Sequence, residues 1–116
     1  MKTRTMILAG IMLLLSLALF AKSAQNLLSF DISPNPMDSA CEISVEFVDS
    51  TAITLVIMNE RGQTVKTIYS GPVHKNATFK WERDDAAGNW VPSGTYLAVI
   101  NYQSRYTSTK KTLILK

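Results

Sequence analysis

A single cysteine, a single histidine and no stretch of helical periodicity are what this 116-residue chain offers where many enzymes are rich. With Cys41 alone, no internal disulfide can form. Cys41 reads as a small apolar residue at a strand start, with an intermolecular disulfide as the alternative. One cysteine and one histidine, His74, fall short of the usual zinc ligand set. They also supply no nucleophile with a neighbouring base. Ser93 sits in "PSG", without the G-x-S-x-G of a nucleophile elbow. Asp84 and Asp85 are adjacent on one loop, whereas acid/base catalysis uses carboxylates set apart and tuned differently. The chain is therefore read as no enzyme, with no catalytic residue and no cofactor.

Charge of one sign is also missing once the ends are separated. The whole chain has 12 Lys and Arg against 9 Asp and Glu, yet Lys2, Arg4 and Lys22 all fall in the first segment. That segment, "MKTRTMILAGIMLLLSLALFAKSAQN", has a basic start, an apolar run from Met6 to Phe20 and small residues at Ala21, Ser23 and Ala24. It is read as a secretory signal peptide, residues 1–23, cleaved between Ala21 and Ala24. The run is shorter than the ~20 residues of a spanning helix, so the membrane is met only in transit. What remains is neutral and lacks the basic stripe that nucleic acid requires. It is expected to be one exported domain, residues 24–116, small but able to hold one core.

Within that domain apolar residues alternate with period two. "LLSFDIS" sets Leu28, Phe30 and Ile32 on one face. "CEISVEFV" sets Cys41, Ile43, Val45 and Phe47 inward, with a wet opposite face. "AITLVIMN" is apolar on both faces and reads as a central strand. Asn59 to Gly62 make a hairpin turn to "QTVKTIYS", in which the opposite parity of Val65 and Ile68 predicts a bulge or a twist between them. "GPVHKN" is expected to break that strand. "ATFKW", "TYLAVINY" and, after a "QSR" turn, "YTSTKKTLILK" complete the set. Seven short strands separated by Gly, Pro, Asn or Asp predict an all-β antiparallel sandwich of the immunoglobulin or fibronectin type III kind.

Between the fifth and sixth strands lies "WERDDAAGNWVPSGTY". Trp81 closes an inward row and is expected to plug one end of the core, its indole N–H on a carbonyl. Asp84 and Asp85 suit Asx-type turns. Gly88 and Gly94 permit positive φ and Pro92 stiffens the approach to Tyr96. Glu82, Asp84, Asp85 and Asn89 are hard oxygen donors and the only calcium candidates, without EF-hand spacing. Trp90, off the main alternation, is read first as core or loop packing. It is also the best candidate for an exposed ring, ahead of Tyr69 and Tyr106, and such a ring suits a glycan or a protein partner.

This loop resembles the W-D-G-x-D-x-x-G-x-x-V-x-S-G-x-Y signature of the Ig-like domain of flagellar hook-capping proteins and of the C-terminal sorting domains of type IX secretion. Trp81, Asp85, Gly88, Val91, Ser93, Gly94 and Tyr96 stand at its spacings. "SPNPM", with Pro34, Asn35 and Pro36, resembles the family's "YPNPF". "IMNERGQTV", with Gly62, resembles "IYDxxGRxV". Glu82, Arg83, Met58 and Asn59 depart from the pattern. The resemblance implies a bacterial Ig-like fold from Phe30 to Lys116, so the "NAT" sequon at Asn76 is set aside. A hook cap is not expected, since the leader is of the Sec type and no assembly region precedes the domain. No passenger of a sorting domain is seen either.

Two uses follow. The first is a non-catalytic module that binds another protein in a bacterial envelope or surface assembly, through Trp90 or by strand addition at the last strand, where Lys110 and Lys111 guard the edge. The second is a minimal type IX cargo whose C-terminal region, including Gly94, Tyr96 and Lys116, is read by the translocon. A calcium-dependent or glycan-binding surface module is a further alternative. The expected location is the periplasm or cell surface.

Overall fold

The computed structural model describes residues 26–102 and 107–116. The leader, the "QSR" turn and Tyr106 lie outside the described residues. Seven strands follow one another: β1 (Leu27–Ser33), β2 (Cys41–Phe47), β3 (Thr51–Asn59), β4 (Thr64–Val73), β5 (Asn76–Trp81), β6 (Gly94–Tyr102) and β7 (Ser108–Leu115). They form a three-stranded sheet, β1-β2-β5, packed on a four-stranded sheet, β4-β3-β6-β7. Every pair is antiparallel. This is the expected Ig-like sandwich, and its cause is visible in β2. There Cys41, Ile43, Val45 and Phe47 are buried while Glu42 and Glu46 are exposed, so one face packs and the other meets water.

The core joins both inner faces, with Ile43, Leu55, Ile57, Ala98, Ile100 and Leu113 wholly buried. Each large aliphatic side chain so removed from water contributes about 1.5–3 kcal/mol. Two aromatic pairs close its ends. Trp81 and Tyr96 meet edge to face at 6.5 Å, and Phe47 and Tyr102 at 5.4 Å. Central β3 carries apolar residues outward as well, and Val56 is buried opposite Val99 of β6.

Three local expectations need comment. The bulge in β4 is present twice: pairing passes from Leu55–Tyr69 to Val56–Thr67 and from Ile57–Lys66 to Met58–Thr64, so Ile68 and Val65 are the extra residues. Both then pack against the core despite their parity. Leu28 does not share the face of Phe30 and Ile32. The β1–β2 register slips between Leu27 and Ser29, and Leu28 is left 58% exposed. Nor does "GPVHKN" break β4 at once. The strand continues through Gly71 and Pro72 to Val73, because β4 is an edge strand and a proline there forfeits no ladder bond.

The strand order gathers the Pro34–Ala40 loop, the β3–β4 turn, the 82–93 loop and the end of β7 at one pole. Asn26 lies at the opposite pole. There its carbonyl accepts from Val48 N–H and its Oδ1 from Asp49 N–H.

Candidate functional site

Two turns of one design frame the first pole. In the β3–β4 turn, Asn59 N–H donates to the Gln63 carbonyl and Gly62 N–H returns to the Asn59 carbonyl. Asn59 Oδ1 accepts from the N–H groups of Arg61 and Gln63, at 3.0 and 2.9 Å. In the loop after β5 the same four bonds recur. Asp85 N–H donates to Asn89, Gly88 N–H to Asp85, and Asp85 Oδ1 accepts from Ala87 and Asn89, both at 2.9 Å. Gly62 and Gly88 stand at φ 78° and 84°, the left-handed conformation that glycine adopts without steric cost. Asn59 thus does for its turn what an aspartate does for the other.

The 82–93 loop is sewn down at several points. Ala86 N–H reaches the carbonyl of Val65, the bulged residue of β4, at 3.0 Å. Asp84 pairs with Lys66. Trp81 donates its indole N–H to the Asp84 carbonyl at 2.9 Å, the carbonyl partner its burial requires. Tyr96 donates its hydroxyl to the Pro92 carbonyl, four residues back, at 2.7 Å. That bond is the tyrosine corner of Ig-like sandwiches.

Arg83 is the residue that sequence reasoning missed. It occupies the signature's glycine position with φ 56° and is only 3% exposed. Its Nε donates to the Val91 carbonyl at 2.8 Å, Nη1 to the Asp38 carbonyl at 2.6 Å, and Nη2 to Ser93 Oγ at 3.2 Å. The guanidinium also lies 4.5 Å from the centre of the Trp90 ring, a stacking distance. Ser93 therefore serves this buried arginine. The signal available in the sequence was only that an arginine replaced a glycine.

Trp90 is not a core residue: it is 61% open to solvent, as the alternative reading of the sequence had it. It stands over a cleft of about 450 Å³, floored by Val65, Ala86, Val91, Pro92 and Tyr96. A second hollow of about 520 Å³ continues past Pro92 and Tyr96 toward Arg61 and Thr95. Tyr69 is not a second platform. It packs against Phe79 at 4.8 Å and donates its hydroxyl to the Pro72 carbonyl.

The four oxygen donors weighed for calcium take separate partners. Glu82 pairs with Lys80 at 3.4 Å, Asp84 with Lys66, and Asp85 with backbone amides; Asn89 contributes its backbone to the turn. Among the described residues, no group of three His, Cys, Asp or Glu is placed to hold a metal. Cys41 is buried and free. Burial raises its thiol pKa to about 11.

The last strand, expected from its sequence to be an open edge, is covered over its C-terminal end. Asn35 lies along it, with Nδ2 donating to the Thr112 carbonyl at 2.8 Å and Oδ1 accepting from Ile114 N–H at 3.0 Å. Met37 follows in parallel, its N–H on the Ile114 carbonyl and its carbonyl on Lys116 N–H. The Pro34–Met37 segment thus occupies the outer backbone of β7 from Thr112 to its end, where a foreign strand would otherwise add. Lys110 is exposed on the outer face, but Lys111 turns between the sheets. Its Nζ reaches the Phe30 carbonyl at 2.9 Å and Asp31 at 3.5 Å.

A family profile described as the FlgD Ig-like domain matches residues 35–105, more than half of the chain. No curated protein matches it. Among solved structures, the chain is similar to dimeric latent PorU from Porphyromonas gingivalis, with a TM-score of 0.59 and 19% identity over 74% of this chain and 9% of that one. It is also similar to PorZ of the same organism, described as an essential bacterial surface component of the type IX secretion system. There the TM-score is 0.54 and the identity 18%, over 76% of this chain and 11% of that one. The chain thus spans about a tenth of either protein, and at such identities the likeness is one of fold.

Proposed function

Since the chain belongs to the FlgD Ig-like domain family, we propose that it is a non-catalytic module, exported by its leader, that binds another protein in a bacterial envelope assembly. The observation that carries this reading is Trp90, exposed at 61% yet fixed against a buried arginine at 4.5 Å and set above a cleft. An aromatic ring held still loses little freedom on binding, and tryptophan is a frequent anchor of protein interfaces. The cleft's polar groups favour a protein over a sugar or an ion. Asn59, Asp85 and the Tyr96 hydroxyl are each engaged within the domain, so the surface offered is largely apolar.

A photo-reactive residue at Ala87, beside Trp90, tests this in the native host. One discrete adduct that disappears on Trp90→Ala, with the melting curve unchanged, supports the reading. Adducts that ignore Trp90→Ala refute it.

The sorting reading stands second, favoured by the fold likeness to PorZ. It locates the recognised feature near the end of β7, and it requires release of the chain to depend on exposed residues there.

A further inference from the structure

Four strands end the two sheets, and three carry contacts or irregularities that obstruct part of their edge. Asn35 and Met37 cover the end of β7. Lys111 caps the Phe30 carbonyl of β1, which is also bulged at Leu28. β4 carries two bulges and Pro72, and Ala86 takes its Val65 carbonyl. Such devices keep edges from pairing with other chains.

β5 has none of them. Its register against β2 runs without a slip from Cys41–Trp81 to Glu46–Asn76. It contains neither proline nor glycine, and among the described residues no side chain or loop bonds its outer backbone. The direction of that backbone follows from one contact. Phe47 N–H donates to the Lys75 carbonyl at 2.6 Å, so the odd-numbered residues of β2 face β5. By alternation their partners Ala77, Phe79 and Trp81 bond β2, while the N–H and C=O groups of Asn76, Thr78 and Lys80 point away from the sheet.

We infer that this edge pairs antiparallel with the β5 edge of a second copy, joining two three-stranded sheets across a two-fold axis. The strand is complementary to itself when Thr78 faces Thr78. All three outward residues then find partners, with Lys80 of one copy against Asn76 of the other. On the inner face the large Phe79 meets the small Ala77. No like charges stand opposite one another, as a stable antiparallel pair requires, and the contact closes on itself as a two-fold interface must.

Sedimentation of the exported protein over a dilution series tests this, together with amide exchange. The expected result is an about twofold fall in mass on dilution. With it, the Thr78 and Lys80 amides should lose protection while Ala77 and Phe79 keep theirs. Thr78→Pro removes an edge N–H, and Thr78→Asp sets two carboxylates face to face; each should leave a monomer where the parent is dimeric. A monomer at every concentration overturns the inference and leaves the edge to a foreign strand or to none. So does a dimer that survives in a natively folded Thr78→Asp.

Discussion

Arg83 takes a backbone conformation that costs a residue with a side chain roughly 1–2 kcal/mol relative to glycine, and among the described residues no carboxylate pairs with its buried charge. Three hydrogen bonds to the guanidinium offset this, since bonds to charged groups contribute about 1.5–3 kcal/mol each. Arg83→Gly should therefore lower stability by about 2–4 kcal/mol, although it restores the family residue. Arg83→Lys should fare little better, because an ammonium cannot fork to three acceptors. Urea denaturation measures both, and an unchanged midpoint for Arg83→Gly would show that the buried fork adds nothing net. Cys41 makes a second prediction at this scale. Its folded pKa is raised from 9.0 to about 11 by burial, so the folded chain holds that proton more tightly than the unfolded one. The associated stability is complete below pH about 9 and is lost as pH rises through about 11. The difference in stability between the parent and Cys41→Ala should shrink over that window, and native Cys41 should resist a thiol reagent that labels it in denaturant.

The paired turns give predictions at the level of elements. Because Asn59 and Asp85 accept the same two amide bonds in their turns, Asp85→Asn should leave the melting temperature almost unchanged. Asp85→Ala should cost about 1–2 kcal/mol, the loss typical of such local caps. A calcium ligand would show the opposite sensitivity, with Asp85→Asn abolishing a calcium-dependent shift in melting. Asn35→Ala should cost about 1–3 kcal/mol by removing two bonds to β7, and it should raise light scattering with concentration as that edge opens. What the sequence revealed follows the same division. The strands and both glycine turns were legible because alternation and left-handed backbone are local properties, written into consecutive residues. Even the bulges at Val65 and Ile68 announced themselves as a break in parity. The sealing of β7 by Asn35 was not legible, because its partners are 77 and 79 residues away. Leu28 was misplaced for a similar reason, since its exposure depends on register with β2.

Across the whole molecule, the residues of the family signature converge on one pole, and most of them hold that pole together. Tyr96 anchors the corner, Ser93 accepts from Arg83, Val91 is core, and Asp85 and Gly88 shape a turn. The fold was therefore readable from the signature, while Trp90, the exposed ring at that pole, lies at a position the signature leaves open. This arrangement decides how the two functional readings can be separated. Removing residues 107–116 would take Leu113 and Leu115 out of the core. The truncated chain should fail to fold, with loss of a cooperative melting transition, and its absence from any compartment would say nothing of sorting. Tyr96 is unsuitable for the same reason. Lys110 and Lys116 are exposed, and no side-chain bond ties either of them down among the described residues. Their joint replacement by alanine should change the unfolding free energy by no more than is typical of surface sites, about 0.5 kcal/mol each. Fractionation of the host then discriminates. A binding module keeps the distribution of the parent protein among periplasm, outer membrane and medium, whereas a cargo read at its basic C-terminal strand accumulates in the periplasm while natively folded.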